Sequence, residues 1–203
     1  MEQKISRLLS VVFHPALMPT YGTLIYFYLQ SSMGIDYPVK VKLYLTLFIF
    51  ITTFVLPLFL SLVLLKLKMI NSMEMKSRNE RIIPLFVTAI LFYITFYSLK
   101  NIGFFNDLQL FILGSTILIL LTVFINYFTK ISIHMIAAGG VGGAVTALGL
   151  TYKINVIHLV NIIFLVSGLL GFARLKAGAH KEFQIYTGYL TGFSVMLLLF
   201  LLF

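Results

Sequence analysis

The sequence predicts an all-α, polytopic transmembrane helical bundle of six or seven spans, forming one domain over residues 1–203. Composition is the first reason. Apolar residues make up 60% of the chain and charged residues 10%, with a mean hydropathy of +1.03. Soluble globular chains carry about 45–50% apolar and about 25% charged residues, so this chain lacks the polar surface to coat a water-soluble fold. The second reason is that the charges are segregated from long charge-free runs. The third is that those runs have the length of membrane helices, which need about 20 residues to cross a bilayer core.

The runs cover residues 8–35, 43–65, 82–99, 108–129, 131–152, 154–173 and 183–203. The first carries Pro15 and Pro19 and no small-residue cleavage site, so it reads as a span rather than a cleavable signal. None of the seven shows the alternating polarity of a barrel strand. A helix satisfies its own backbone in lipid, which leaves it as the expected element for each. In the fifth run the stretch AAGGVGGA holds Gly139, Gly140, Gly142 and Gly143, small residues that let helices pack closely. It is not a phosphate-binding loop, because no strand precedes it and no GK[ST] follows. Asn126 and Asn161 fall within spans and are expected to hydrogen-bond between helices.

The chain has no cysteine, which excludes disulfides, thiolate catalysis and cysteine-held metals. The net charge of +9 does not imply nucleic acid here, since the loops are too short for such a module. It fits the basic bias of membrane loops and anionic headgroups instead. Alternate crossings place Lys4, Arg7, Lys66, Lys68, Lys76, Arg78, Arg81, Lys130, Arg174, Lys176 and Lys181 on one face. Only Lys40, Lys42, Lys100 and Lys153 fall on the other, which makes the first face cytoplasmic by the positive-inside rule.

Three polar islands lie on that basic face, each where a span begins or ends. MKSRNERIIP (75–84) holds Lys76, Arg78, Arg81 and Pro84. KISIHM (130–135) holds Ser132 and His134, and ARLKAGAHKEFQ (173–184) holds Arg174, Lys176, His180 and Gln184. Together they supply guanidinium and ammonium groups, a hydroxyl and two imidazoles, an inventory that suits a phosphate ester. Arginine binds two phosphate oxygens at once, and a helix start near His134 adds positive potential. One imidazole can attack phosphorus while the other protonates the departing oxygen. No metal and no cofactor are expected, because Glu74, Glu80 and Glu182 are too scattered to form a cation cage. His14, in FHPALMP, reads as a structural histidine at a proline-shaped helix start, with a place in the cleft as the alternative.

The spacing of these islands resembles the type 2 phosphatidic acid phosphatase (PAP2) superfamily. Arg174-x5-His180-x3-Gln184 is similar to its SR-x5-H-x3-D motif, Ser132-Ile133-His134 to its PSGH motif, and Lys76-x4-Arg81-x2-Pro84 to a shifted K-x6-RP. The resemblance implies a metal-independent phosphatase acting on a lipid phosphate or polyprenyl diphosphate in a membrane, through a phosphohistidine on His180. It implies His134 as acid and then base. Lys76, Arg81, Ser132 and Arg174 would bind the phosphate, with Arg78 and Lys176 as further candidates. The expected location is a bacterial inner membrane; the family's sites favour the extracytoplasmic side, against the charge count. Three departures stand out. The family Asp is Gln184, the proline and glycine of PSGH are Ile131 and Ile133, and Arg81 and Pro84 are not adjacent. An amide at 184 can fix the imidazole tautomer but brings no charge, and the comparable Asp-to-Asn change in serine hydrolases costs about 10⁴ in kcat. Two other readings therefore stand beside it: an inactive lipid-phosphate binder of the same fold, and a small membrane transporter.

Overall fold

The computed structural model describes residues 2–73, 75, 77, 79–103 and 106–203, with side chains from Lys4 onward. All the regular structure among these residues is helical. Seven helical segments are long and apolar enough to span a membrane: Lys4–Leu29, Val39–Lys66, Asn79–Ile102, Asn106–Phe128, Ile133–Thr151, Ile157–Lys176 and Glu182–Leu202. The chain is an integral membrane protein by this pattern. Large apolar side chains such as Tyr28, Phe59, Phe164 and Leu165 point outward, where an aqueous protein would place charge and a bilayer accepts hydrocarbon.

The first span is broken. Helix α1 (Glu2–Val12) stops ahead of Pro15, which forces the preceding His14 into extended backbone at φ −63°, ψ 137°. A 3₁₀ turn (Pro15–Leu17) then leads into α2 (Met18–Leu29). The second span joins α3 (Val39–Phe50) to α4 (Leu56–Lys66) through a π turn at Ile51–Val55. Pro57 has no N–H for the Thr53 carbonyl, and just before it the Leu56 amide bonds Ile51 instead, widening the turn. Helices α5 (Asn79–Ile102) and α6 (Asn106–Phe128) pack side by side and antiparallel.

Helix α7 (Ile133–Thr151) is the centre of the bundle: 72% of its apolar stretch is buried, against no more than 39% for any other span. Its closest neighbour is α9 (Glu182–Leu202), and α8 (Ile157–Lys176) flanks both. The glycines explain the intimacy. A methyl at Gly139 would be driven into the Tyr189 carbonyl, and one at Gly143 into that of Phe193. From α9, a methyl at Gly192 would meet the Ile136 carbonyl, and one at Gly188 would stand 3.0 Å from the Ser132 oxygen. Two glycine pairs four residues apart thus press backbone on backbone, as the packing reading of AAGGVGGA expected. At the opposite end the Tyr152 hydroxyl donates to Asp107 at 2.8 Å, tying the end of α7 to the start of α6.

The two asparagines do not behave as expected. Asn161 lies on the exposed face of α8. Asn126 is 2% exposed and, among the described residues, neither of its amide atoms has a partner. A buried amide left unmet costs about 1–3 kcal/mol.

The packing generates a contrast. Gly192→Ala should destabilise the protein by about 1–3 kcal/mol, read as a lower unfolding temperature in detergent. Gly168→Ala, on a face of α8 with nothing within 4 Å, should be neutral or stabilising. Equal effects at both positions would contradict the backbone-contact account.

Candidate functional site

The third polar island folds as a tight reversal. Helix α8 ends with the Gly178 amide donating to the Leu175 carbonyl at 2.9 Å and the Ala179 amide to the Arg174 carbonyl at 3.2 Å. That crossed pair needs a left-handed residue, supplied by Gly178 at φ +63°. The reversal returns the chain so that Arg174, inside the last turn of α8, and His180, just before α9, face the same cavity. The Ser132 amide donates to the Gln184 carbonyl at 3.3 Å, bringing the start of α7 to the start of α9. His134, the second residue of α7, reaches that cavity too. Arg81 arrives from the first turn of α5, 7% exposed, with its Nε donating to the Met75 carbonyl at 2.8 Å.

Four hydrogen bonds define the imidazoles. The Lys181 backbone amide can only donate, and it does so to Gln184 Oε1 at 3.1 Å, which fixes the orientation of the side-chain amide. The same oxygen therefore accepts from His180 Nδ1 at 3.1 Å, so Nδ1 carries the proton and Nε2 the lone pair. His134 Nε2 lies 3.1 Å from the Ser10 carbonyl, an acceptor only, so Nε2 donates and Nδ1 is the basic atom. His14 Nδ1 accepts from the Ala16 amide at 3.3 Å, and its ring stands 5.9 Å from that of His134. His14 thus fills both roles considered for it: it shapes the proline turn and lines the cavity.

The charges that act on His180 are all cations. Burial pushes the His180 imidazole down to about 4, and the nearby Arg174, Lys130 and Arg81 cations push in the same direction against the hydrogen bond to Gln184. The Lys130 ammonium is lowered by burial, then by Arg81 and Arg174. His180 accordingly rests as a neutral imidazole at physiological pH, beside cations that disfavour any further positive charge.

His180, His134, Arg174 and Arg81 thus share one cavity, and Gln184 stands behind His180 as its hydrogen-bond partner. Two expected phosphate ligands do not join them. Ser132 is fully buried and its hydroxyl has no partner among the described residues; the cavity wall is made by Ile133 and His134 instead, because the helix turns its first residues inward there. Lys176 is exposed with its ammonium 5.5 Å above the Phe172 ring, on the outside of α8 two residues past Arg174. Lys76 and Arg78 lie outside the described residues. Two contributors were missed. Ser10 of α1 holds two site residues at once: its carbonyl takes His134, and its hydroxyl accepts from Arg174 Nη1 at 3.1 Å while donating to the Ser6 carbonyl at 2.8 Å. Its only trace in the sequence is that Ser6 and Ser10 share a helix face. Lys130, the first residue of the second island, reads in the sequence as a loop charge only, yet its ammonium acts on His180. Among the described residues, no group of three or more His, Asp and Glu side chains is placed to hold a metal ion.

No protein-family model, curated protein or solved structure matches the chain.

The depressed His180 value carries a sign. The folded state binds fewer protons at this ring than the unfolded chain, so its contribution to stability is full above about pH 6.5 and is lost as pH falls toward 4. Nitrogen-15 NMR of labelled histidine should find His180 neutral and Nδ1-protonated at pH 6. Wild-type unfolding temperature should fall between pH 6.5 and 4, with a smaller fall in His180→Gln. A His180 resonance titrating near 6.5 would refute this electrostatic picture.

Proposed function

We propose that this protein is a metal-independent lipid phosphatase of the PAP2 kind, which removes phosphate from a lipid phosphate or diphosphate through phospho-His180. The observation that carries the reading is convergence. Three imidazoles and two guanidinium groups, separated by up to 166 residues of chain between His14 and His180, line one cavity at the end of the bundle.

In the first step His180 Nε2 attacks phosphorus and the ester P–O bond breaks. His134, protonated at Nδ1 when the anionic substrate is present, gives that proton to the departing oxygen, and the lipid alcohol leaves. In the second step His134 Nδ1 takes a proton from water as the hydroxide attacks phosphorus; His180 departs and inorganic phosphate is released. Arg174 and Arg81 offset the equatorial oxygen charge, an electrostatic contribution of the kind that dominates phosphoryl transfer. Lys130 adds to the same field. Gln184 keeps the proton of His180 on Nδ1 so that Nε2 stays the nucleophile. The location that accompanies this reading is a bacterial inner membrane.

The deciding experiment is phosphate release from lipid phosphates by the purified protein, with and without vanadate. Wild type should release phosphate in a vanadate-sensitive manner, and His180→Ala should abolish it. His134→Ala should slow the second step and allow phosphoenzyme to be trapped. Gln184→Glu keeps the reach of the side chain and adds the missing charge; kcat should rise by about tenfold, the worth of making one hydrogen bond to the imidazole charge-assisted. Release that survives His180→Ala refutes the mechanism. Binding of lipid phosphates without turnover would support the inactive-binder reading, which the uncharged Gln184 favours.

A further inference from the structure

We infer that the cavity behind the cationic mouth is a subsite for one hydrocarbon chain, so that the substrate is a single-chain amphiphile phosphate whose tail is threaded inward into the bundle. This rests on the phosphatase reading for its headgroup and goes beyond it for the tail.

The cavity has a volume of about 230 Å³, is partly open, and is lined along much of the bundle's length. Along α5 its wall runs from Arg81 to Phe92, and along the antiparallel α6 from Thr122 to Phe111. Eleven residues at 1.5 Å each give about 16 Å of depth on both helices. One leaflet accounts for half of a hydrocarbon core about 30 Å thick, so a chain anchored at the mouth would end near the bilayer midplane. The floor consists of Phe92, Phe111, Val141 and Met196, none more than 6% exposed. Spread over that depth, the volume makes a bore for one hydrocarbon chain and not for two side by side.

The wall chemistry favours an apolar occupant. Four hydroxyl side chains line the cavity below the mouth, and all four are satisfied by their own helices. Ser61 donates to Pro57, Thr88 to Pro84, Ser115 to Phe111 and Thr122 to Leu118, at 2.7–2.8 Å. Each has spent its proton on its own helix, so what it offers the cavity is an oxygen acceptor and aliphatic carbon, with no donor. An apolar void of this size favours an apolar guest, as engineered dry cavities of about 150 Å³ do. The polarity therefore steps once, from the histidines and arginines at the mouth to hydrocarbon below it. That single step is the profile of an anionic headgroup on a lone chain.

The test uses the full-length protein in nanodiscs and a monoalkyl phosphonate bearing a diazirine at the end of its chain, with cross-linked residues mapped by mass spectrometry. The phosphonate cannot be hydrolysed, so turnover is not required. Labels on floor residues, competed by unlabelled monoalkyl phosphonate at least tenfold better than by a two-chain phosphonate, are the expected result. Thr88→Phe, which blocks the bore midway, should move the labels toward Pro84 and Leu85; Ala137→Leu obstructs it from α7 and should do the same if the first variant does not fold. Labels confined to outward-facing residues such as Phe86 and Ile90, with phosphate release intact, would overturn the threaded tail and leave the phosphatase standing. Labelling that the corresponding alcohol competes as well as the phosphonate would overturn both.

Discussion

The contact between α7 and α9 decides where everything else can be. Because Gly139 and Gly143 on one helix and Gly188 and Gly192 on the other carry no side chain, the two backbones meet directly in this alignment. In lipid there is little hydrophobic force between helices, so such close van der Waals packing is what selects the partner. The alignment sets the start of α7 beside the start of α9, sealed by the Ser132 amide on the Gln184 carbonyl. His134 and His180 then have no choice but to share an end of the bundle. The site is thus a consequence of a glycine register some turns away in the membrane.

Around that register the site concentrates like charge. Arg81, Arg174 and Lys130 all act on His180, and the latter two cations also feel one another. Holding them together in a half-buried place raises the energy of the resting protein, and an entering anion relieves it. The strain is contained by fixed acceptors: the Met75 carbonyl on Arg81 and the Ser10 hydroxyl on Arg174. Ser10 matters doubly because its carbonyl also sets the tautomer of His134. Helix α1 is correspondingly turned inside out, with Ser6 buried and Ile5, Leu8 and Val11 facing outward. In water that arrangement would be unstable, whereas in a bilayer it lets the first helix contribute polar atoms to the interior.

The seven spans were legible because hydrophobic length is a one-dimensional signal, and each charge-free run corresponds to one helical segment. Their ends shifted by a few residues where chemistry outweighed hydropathy; the second span runs to Lys66, whose long stem tolerates the boundary. The packing role of Gly139 and Gly143, and the meeting of His134 and His180 at one end of the bundle, were also within reach, since small residues and paired imidazoles have few uses in lipid. Ser10 escaped because its main contribution is a carbonyl, an atom that every residue owns. Ser132 was misplaced because a motif letter records adjacency to His134 but not which of two consecutive residues a helix start turns inward. Lys176 fell to the same limit: two residues from Arg174, it lies on another side of α8. The cavity leaves no periodic trace at all, since it arises from what several helices jointly fail to fill.

Gln184 links these levels. A carboxylate in its place would stabilise positive charge on the adjoining imidazole, and in a site already crowded by Arg174, Lys130 and Arg81 that charge has a ready rival for the same counter-field. With an amide, His180 stays neutral over a wide pH range, its proton held on Nδ1 and its Nε2 lone pair open. If His180 is the nucleophile of the proposed reaction, its reactive form is fully populated at rest, while the imidazolium character that would grow as nitrogen bonds phosphorus gains nothing from a neighbouring anion. In the proposed reaction the stabilising charge must come from the substrate's own phosphate, held by the arginines. Such a site favours substrates whose phosphate arrives fully ionised, and it couples binding and chemistry through one set of cations. The uncharged residue then has a physical logic: it trades transition-state stabilisation for a nucleophile that is ready whenever the anion arrives.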